Sequence, residues 1–187
     1  MIETLKLPFG FDAAALKADL EKFSASDWKP HFNTAYYEGD WSGIALRAAG
    51  GAPLDLYPDP NASVFENTEM LARCAYVPEV LDFFRCEIET ARFLRLGTGA
   101  KILEHRDYKL GFEDGIARIH IPVRTNAQVE FRLNGKIVRM KEGEAWYLNF
   151  NLPHSVVNGG GGERVHLVID CIVNDWLKDF FEREASN

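Results

Sequence analysis

From about residue 90 onward, apolar and polar positions alternate in short runs broken by glycine, the pattern of antiparallel strands buried on one face. Ile116 to Arg124 shows it best. Ile116, Arg118, His120 and Pro122 project one way, and Ala117, Ile119, Ile121 and Val123 the other. Further strands are predicted over Arg92 to Leu96, Lys101 to Arg106, Gln128 to Leu133, Lys136 to Met140, Ala145 to Phe150, His154 to Asn158 and Val165 to Val173. Asn134-Gly135 between two of them is the strongest short hairpin signal. Gly97-Thr98-Gly99 and Gly159 to Gly162 read as turns.

Before residue 90 the period changes. Phe11, Ala15, Leu16, Leu20 and Phe23 have helical spacing, with Asp12 placed to cap the helix. Pro78 to Phe84 begins as a helix does, with proline first and acids close behind. Trp41 to Arg47 predicts a short strand, and Gly50-Gly51 with Pro53 to Pro60 a loop. A last helix is expected from Asp175 to Glu184. The fold class expected is mostly β with flanking helices, a sandwich or barrel of the jelly-roll kind. The 187 residues suit a single domain over 1–187, with an N-terminal flank (1–90), a jelly-roll core (91–173) and a C-terminal helix (174–187). The barrel mouth is the natural pocket of such a fold.

Composition narrows the function classes. The chain is 47% hydrophobic and 12% aromatic, which is globular and not disordered. A net charge of -7 argues against a nucleic-acid partner, since phosphate binding needs clustered Lys and Arg. No run approaches the roughly eighteen apolar residues of a membrane span, and no secretory signal is visible. Cys74, Cys86 and Cys171 cannot all pair and lack C-x-x-C spacing, so they are expected to be reduced structural thiols in a cytoplasmic protein.

The candidate chemistry lies in His105-Arg106-Asp107, followed by His154 and then Arg164. In a strand, positions i and i+2 share a face, so His105 and Asp107 can point into one cavity. His154 follows forty-nine positions after His105 (154 − 105), beyond the hairpin, and a cavity between two sheets could return it to the first pair. Two imidazoles and one carboxylate with open positions suit Fe(II) and O2 chemistry. Zinc with a bound water could use the same three groups, but explains the arginines less well. Arg164 offers a planar fork for a carboxylate, as an organic-acid co-substrate needs. Arg118 and His120 form a second inward pair. An arginine among Ile and Val needs a counter-charge, either a ligand's carboxylate or an internal acid such as Glu130. Trp146, Asn149 and Asn151 could line the mouth, with Trp146 equally suited to the core of an apolar strand. Arg95 and Arg124 could either meet a substrate carboxylate or sit as exposed strand-edge charges, the reading their positions favour.

Taken together, FLRLGTGAKILEHRD, ARIHIPV, GEAWYLNFNLPHSVVN and ERVHLVID between Arg92 and Asp170 resemble the aspartyl/asparaginyl β-hydroxylase family of Fe(II)/2-oxoglutarate dioxygenases. Trp41 to Leu46 resembles a short N-terminal strand of its bacterial members. The resemblance implies a double-stranded β-helix, a jelly roll of the cupin type. It implies His105, Asp107 and His154 as iron ligands, Arg164 for the distal carboxylate of 2-oxoglutarate, and Arg118 with His120 for its other end. The vertebrate founding enzyme lacks the acidic ligand, so Asp107 aligns this chain with the bacterial amino-acid hydroxylases of the group. Three readings follow. The first is hydroxylation of a small amino-acid-like substrate with O2 and 2-oxoglutarate. The second is the same chemistry on a peptide or protein side chain, and the third a cupin-like metal or ligand-binding module without turnover. The absence of an appended peptide-binding or targeting domain favours the small substrate. The sequence leaves the oligomeric state open.

Overall fold

The computed structural model describes residues 2–52, 56 and 62–185. In chain order the strands are β1 (Thr4–Gly10), β2 (Lys29–Pro30), β3 (Tyr37–Glu38), β4 (Trp41–Ala49), β5 (Phe65–Asn67), β6 (Ile88–Leu96), β7 (Lys101–His105), β8 (Ile116–Arg124), β9 (Val129–Leu133), β10 (Lys136–Val138), β11 (Glu144–Leu148), β12 (His154–Asn158) and β13 (Arg164–Ile172). Three helices accompany them: α1 (Ala13–Leu20), α2 (Val77–Phe83) and α3 (Asp175–Ala185). The large sheet runs β1-β11-β8-β13-β6-β4-β2, with β5 paired to β4, and the small sheet runs β10-β9-β12-β7-β3. Two facing antiparallel sheets flanked by helices form the expected jelly roll. Apart from Leu56, the loop expected over Pro53 to Pro60 lies outside the described residues.

The alternation in β8 survives intact. Ala117, Ile119, Ile121 and Val123 are fully buried and join Leu16, Leu20, Val77, Leu81, Leu177 and Phe181 in one core between the large sheet and the three helices. Each aliphatic side chain of that size contributes roughly 1.5–3 kcal/mol by leaving water. A second core, including Leu96, Ile102, Phe131, Leu133, Phe150 and Val156, lies between the sheets and bounds the pocket. Asp12 caps α1 by accepting from the amides of Ala14 and Ala15 at 2.8 and 3.1 Å. Buried Asp19 at the end of that helix takes the amides of Ala75, Tyr76 and Val77 and so fixes the start of α2. Asn134 and Gly135 both have positive φ (48° and 75°), as the tight β9–β10 hairpin requires.

Several elements differ from expectation, with β2, β3 and β5 among those not foreseen and β10 and β11 each ending two residues short of the expected bounds. The strand β1 was not foreseen, although Leu5 and Leu7 are buried on either side of exposed Lys6. The strand β6 starts at Ile88, four residues earlier than expected. The strand β7 stops at His105, one residue short of the expected Arg106.

A candidate metal centre beside a cationic pocket

His154 opens β12 and sits directly opposite His105, the last residue of β7. Their forty-nine-residue separation is therefore closed by cross-strand pairing within the small sheet, not across the cavity between sheets. The rings lie 4.2 Å apart between centroids. His105 donates from Nδ1 to the Leu103 carbonyl (2.7 Å), and His154 from Nδ1 to that of Leu152 (3.0 Å). Each backbone bond consumes one ring nitrogen and leaves Nε2 as the lone-pair donor. Burial pushes the His154 imidazole down to about 4, so it is neutral near pH 7, the form that binds a metal.

Asp107 reaches this pair by another route than strand alternation. With β7 ended, the Asp107 amide bonds the Phe150 carbonyl (3.0 Å), and that loop contact turns its carboxylate inward. One oxygen, Oδ1, lies 3.6 Å from His105 Nε2. Ligand atoms of His105, Asp107 and His154 all lie within 4.8 Å of one another, a set able to hold one cation with positions open to one side. The neighbouring loop is held by Asn151, whose Oδ1 accepts from the Leu110 amide (3.2 Å) and whose Nδ2 donates to Asp114 (2.6 Å).

The triad opens onto a cavity of about 550 Å³ between the two sheets. The small sheet supplies the imidazoles, and the large sheet the arginines. Arg164, at the first position of β13, is 2% exposed. Its Nη2 donates to His166 Nδ1 (2.8 Å), but among the described residues its Nε has no partner and no carboxylate bridges it. Burial lowers its pKa to about 9, so it remains a cation at neutral pH. An unpaired buried cation facing a cavity is costly unless a ligand supplies the anion.

Arg118 is placed differently from expectation. Its Nε and Nη2 donate to Asp170 (2.6 and 3.0 Å), and its Nη1 to Asp107 Oδ2 (2.9 Å). The counter-charge thus comes from within the protein. It is not Glu130, which pairs with Arg132 on the exposed side of β9.

His120 is buried, stacks on Phe150 at 5.1 Å, and faces His166 Nδ1 through its own Nδ1 (3.2 Å). An arginine must donate, so His166 Nδ1 accepts and His120 Nδ1 carries the proton. The buried Nε2 of His120, without a partner among the described residues, is then an acceptor. To grip a carboxylate it must also be protonated there, which a bound dianion would favour. Burial first, and Arg164 second, push both imidazoles well below their ordinary value.

Several pocket residues carried no usable sequence signal. His31 stacks on Trp41 at 3.4 Å and forms part of the wall, with Tyr36 against His105. Arg92 and Asp170 pair at 2.9 Å inside the sheet. Of the three residues expected at the mouth, Asn151 holds the loop beside the triad and the other two are elsewhere. Trp146 bonds Glu144 beside a different cavity, Asn149 is wholly buried, and Arg95 and Arg124 pair with Asp40, Glu163 and Glu21.

Comparison with known proteins gives the family and the fold. The chain is 30% identical to L-proline cis-4-hydroxylase of Rhizobium meliloti (strain 1021) over 86% of its own length and 57% of that protein's. It is 26% identical to L-proline cis-3-hydroxylase 1 of Streptomyces sp, over 93% and 60% respectively. It thus spans less than two thirds of the length of these relatives. The fold matches a 2OG-Fe(II) oxygenase family oxidoreductase from Burkholderia pseudomallei with a TM-score of 0.56 at 20% identity, covering 90% of this chain and 85% of the other. It also matches a Pseudomonas putida prolyl-4-hydroxylase with a TM-score of 0.55 at 15% identity, over 91% and 92%. The family profile described as aspartyl/asparaginyl beta-hydroxylase matches residues 11–173, and with that coverage the chain belongs to the aspartyl/asparaginyl β-hydroxylase family.

Proposed function

We propose that this chain is an Fe(II)/2-oxoglutarate-dependent dioxygenase that hydroxylates a C–H bond of a small amino-acid-like substrate. The observation that carries the reading is one cavity holding both a two-His, one-Asp set and an uncompensated buried guanidinium. His105 Nε2, Asp107 Oδ1 and His154 Nε2 would hold the iron. Arg164 would take the distal carboxylate of 2-oxoglutarate, and His120 would lie against its other end. When bound, the iron and oxoacid supply the oxidising power that turns a C–H bond into C–OH, with O2 consumed and succinate and CO2 released. The protein's share is to hold its ligands neutral or anionic, orient the oxoacid and keep water from the reacting carbon. Zinc hydrolysis would leave the Arg164 cation without a purpose.

A free amino-acid substrate is supported by the two relatives, which are L-proline cis-4- and cis-3-hydroxylases. One feature favours the longer-substrate reading instead: Phe32 and Tyr108 stand exposed (73% and 84%) on the rim of the cavity. A cytoplasmic setting belongs to the same proposal and is supported by three unpaired thiols. The test is succinate release by iron-loaded protein over a panel of free amino acids and short peptides. Stimulation by a free amino acid, with a product heavier by one oxygen, is expected. Stimulation by peptides alone would move the substrate to the second class. Absence of both uncoupled and substrate-stimulated 2-oxoglutarate consumption would refute the oxygenase reading.

A further inference from the structure

Asp170 lies in the middle of β13, opposite Arg118 of β8 on one side and Thr90 of β6 on the other. It is wholly buried, yet both oxygens are engaged. Oδ1 accepts from Arg118 Nε (2.6 Å), and Oδ2 from Arg118 Nη2 (3.0 Å), Arg92 Nη1 (2.9 Å) and the Thr90 hydroxyl (2.8 Å). Burial acts to raise its pKa, but the Arg118 and Arg92 guanidiniums outweigh that and hold the carboxyl well below its usual range. The bidentate grip occupies the Nε–Nη2 edge of Arg118 and fixes the plane of its guanidinium. Only Nη1 is left over, and it points at Asp107 Oδ2 (2.9 Å). The other Asp107 oxygen, Oδ1, is the one that faces His105 Nε2.

We propose that Asp170 is a positioning residue of the metal centre, acting through Arg118 to present Asp107 to the cation by one oxygen. This rests on the reading of His105, Asp107 and His154 as metal ligands. A carboxylate free to rotate could offer both oxygens and occupy a position that an oxoacid or O2 needs. With Oδ2 tied to Arg118, one is withheld. The device also reassigns Arg118: its three nitrogens serve Asp170 and Asp107, leaving Arg164 as the cation offered to the oxoacid. A partner of this kind typically changes metal affinity by about 10–100-fold when removed.

The test titrates Mn(II) into metal-free protein and reads the free ion by electron paramagnetic resonance. Wild type is compared with Asp170→Asn, Arg118→Lys and the double variant. Each single variant should bind Mn(II) about 10–100-fold more weakly. The double variant should be no worse than the weaker single, because both changes break one relay. Wild-type affinity in either single variant, or losses that multiply in the double, would overturn the proposal. A purely structural Asp170 would lower the melting temperature without this shared loss of affinity. If Asp170→Asn does not fold, Arg118→Lys carries the test, since it keeps a cation opposite Asp170 but cannot span both carboxylates. Adding 2-oxoglutarate to Mn(II)-loaded wild type tests the oxygenase reading separately. Its failure to bind would sink that reading and leave the Asp170 result standing.

Discussion

Replacing Arg164 with methionine should make the empty protein more stable and the co-substrate weaker, a combination few substitutions produce. The guanidinium is 2% exposed, its Nε lacks a partner among the described residues, and its Nη2 meets only the neutral His166 ring among them. Lowering of its pKa from 12.5 to about 9 shows that burial opposes the charge. An unsatisfied buried donor costs roughly 1–3 kcal/mol, and methionine fills similar space with none. His166 Nδ1 would still accept from His120, so no new orphan is created. Arg164→Met should therefore raise the melting temperature of metal-free protein by about 2–10 °C for a gain of about 1–3 kcal/mol. In the loaded protein it removes a charge-assisted pair worth about 1.5–3 kcal/mol, a loss of roughly 10–140-fold in 2-oxoglutarate affinity. Scanning calorimetry and calorimetric titration of Mn(II)-loaded protein measure both. A lower melting temperature would show that Arg164 holds the fold together. Unchanged 2-oxoglutarate affinity would show that it is not the carboxylate grip.

Acid should destabilise the metal-free protein through its buried imidazoles. Burial lowers the pKa values of His31 (to about 4), His120 and His166, so the unfolded chain binds protons that the folded chain refuses. The stability they contribute is complete above about pH 6.5 and falls as pH drops toward 4, on the order of 1–2 kcal/mol per imidazole at pH 5. A melting temperature flat between pH 7.5 and 5.5 would contradict this. Gly111→Ala would put a Cβ 2.5 Å from Asn151 Nδ2 and 3.0 Å from Asn149 Oδ1. It should cost about 1–3 kcal/mol and weaken Mn(II) binding by disturbing the loop after Asp107; unchanged affinity would show that Asn151 does not support the site. Among the thiols, Cys86 should react first with a disulfide reagent. It is half-buried with its pKa lowered by the Cys171 thiol, whereas burial pushes Cys74 up to about 12. Faster labelling of Cys74 would contradict the order.

The strands were legible where one face is apolar throughout. In β8 the period of two marks both the core face and the pocket face, so Arg118 and His120 were correctly oriented inward. The same period was present in Leu5, Lys6 and Leu7 of β1, but Pro8 and the absence of a turn signal hid it. The start of β6 was obscured because its inward Thr90 is polar, and it is buried only because Asp170 receives its hydroxyl. That pairing is the general difficulty. Arg92 and Asp170 are charges in the middle of apolar runs, which local pattern reads as anomalies until their cross-sheet partners are known. The three proposed ligands were found by residue type and order. Their approach was not, since Asp107 arrives through a loop bond to Phe150 and His154 through direct pairing with His105. His31 could not be found from sequence, because stacking on Trp41 leaves no periodic trace.

The central claim is that one cavity binds Fe(II) through the triad and 2-oxoglutarate through the metal and Arg164 together. Anaerobic addition of Fe(II) and then 2-oxoglutarate to metal-free protein tests it most directly, through the visible charge-transfer band of a chelated oxoacid. The account predicts a band in wild type, none in His154→Ala, and a band in Arg164→Met only at far higher 2-oxoglutarate. Folded wild-type protein that takes up iron but shows no band at any concentration would contradict it.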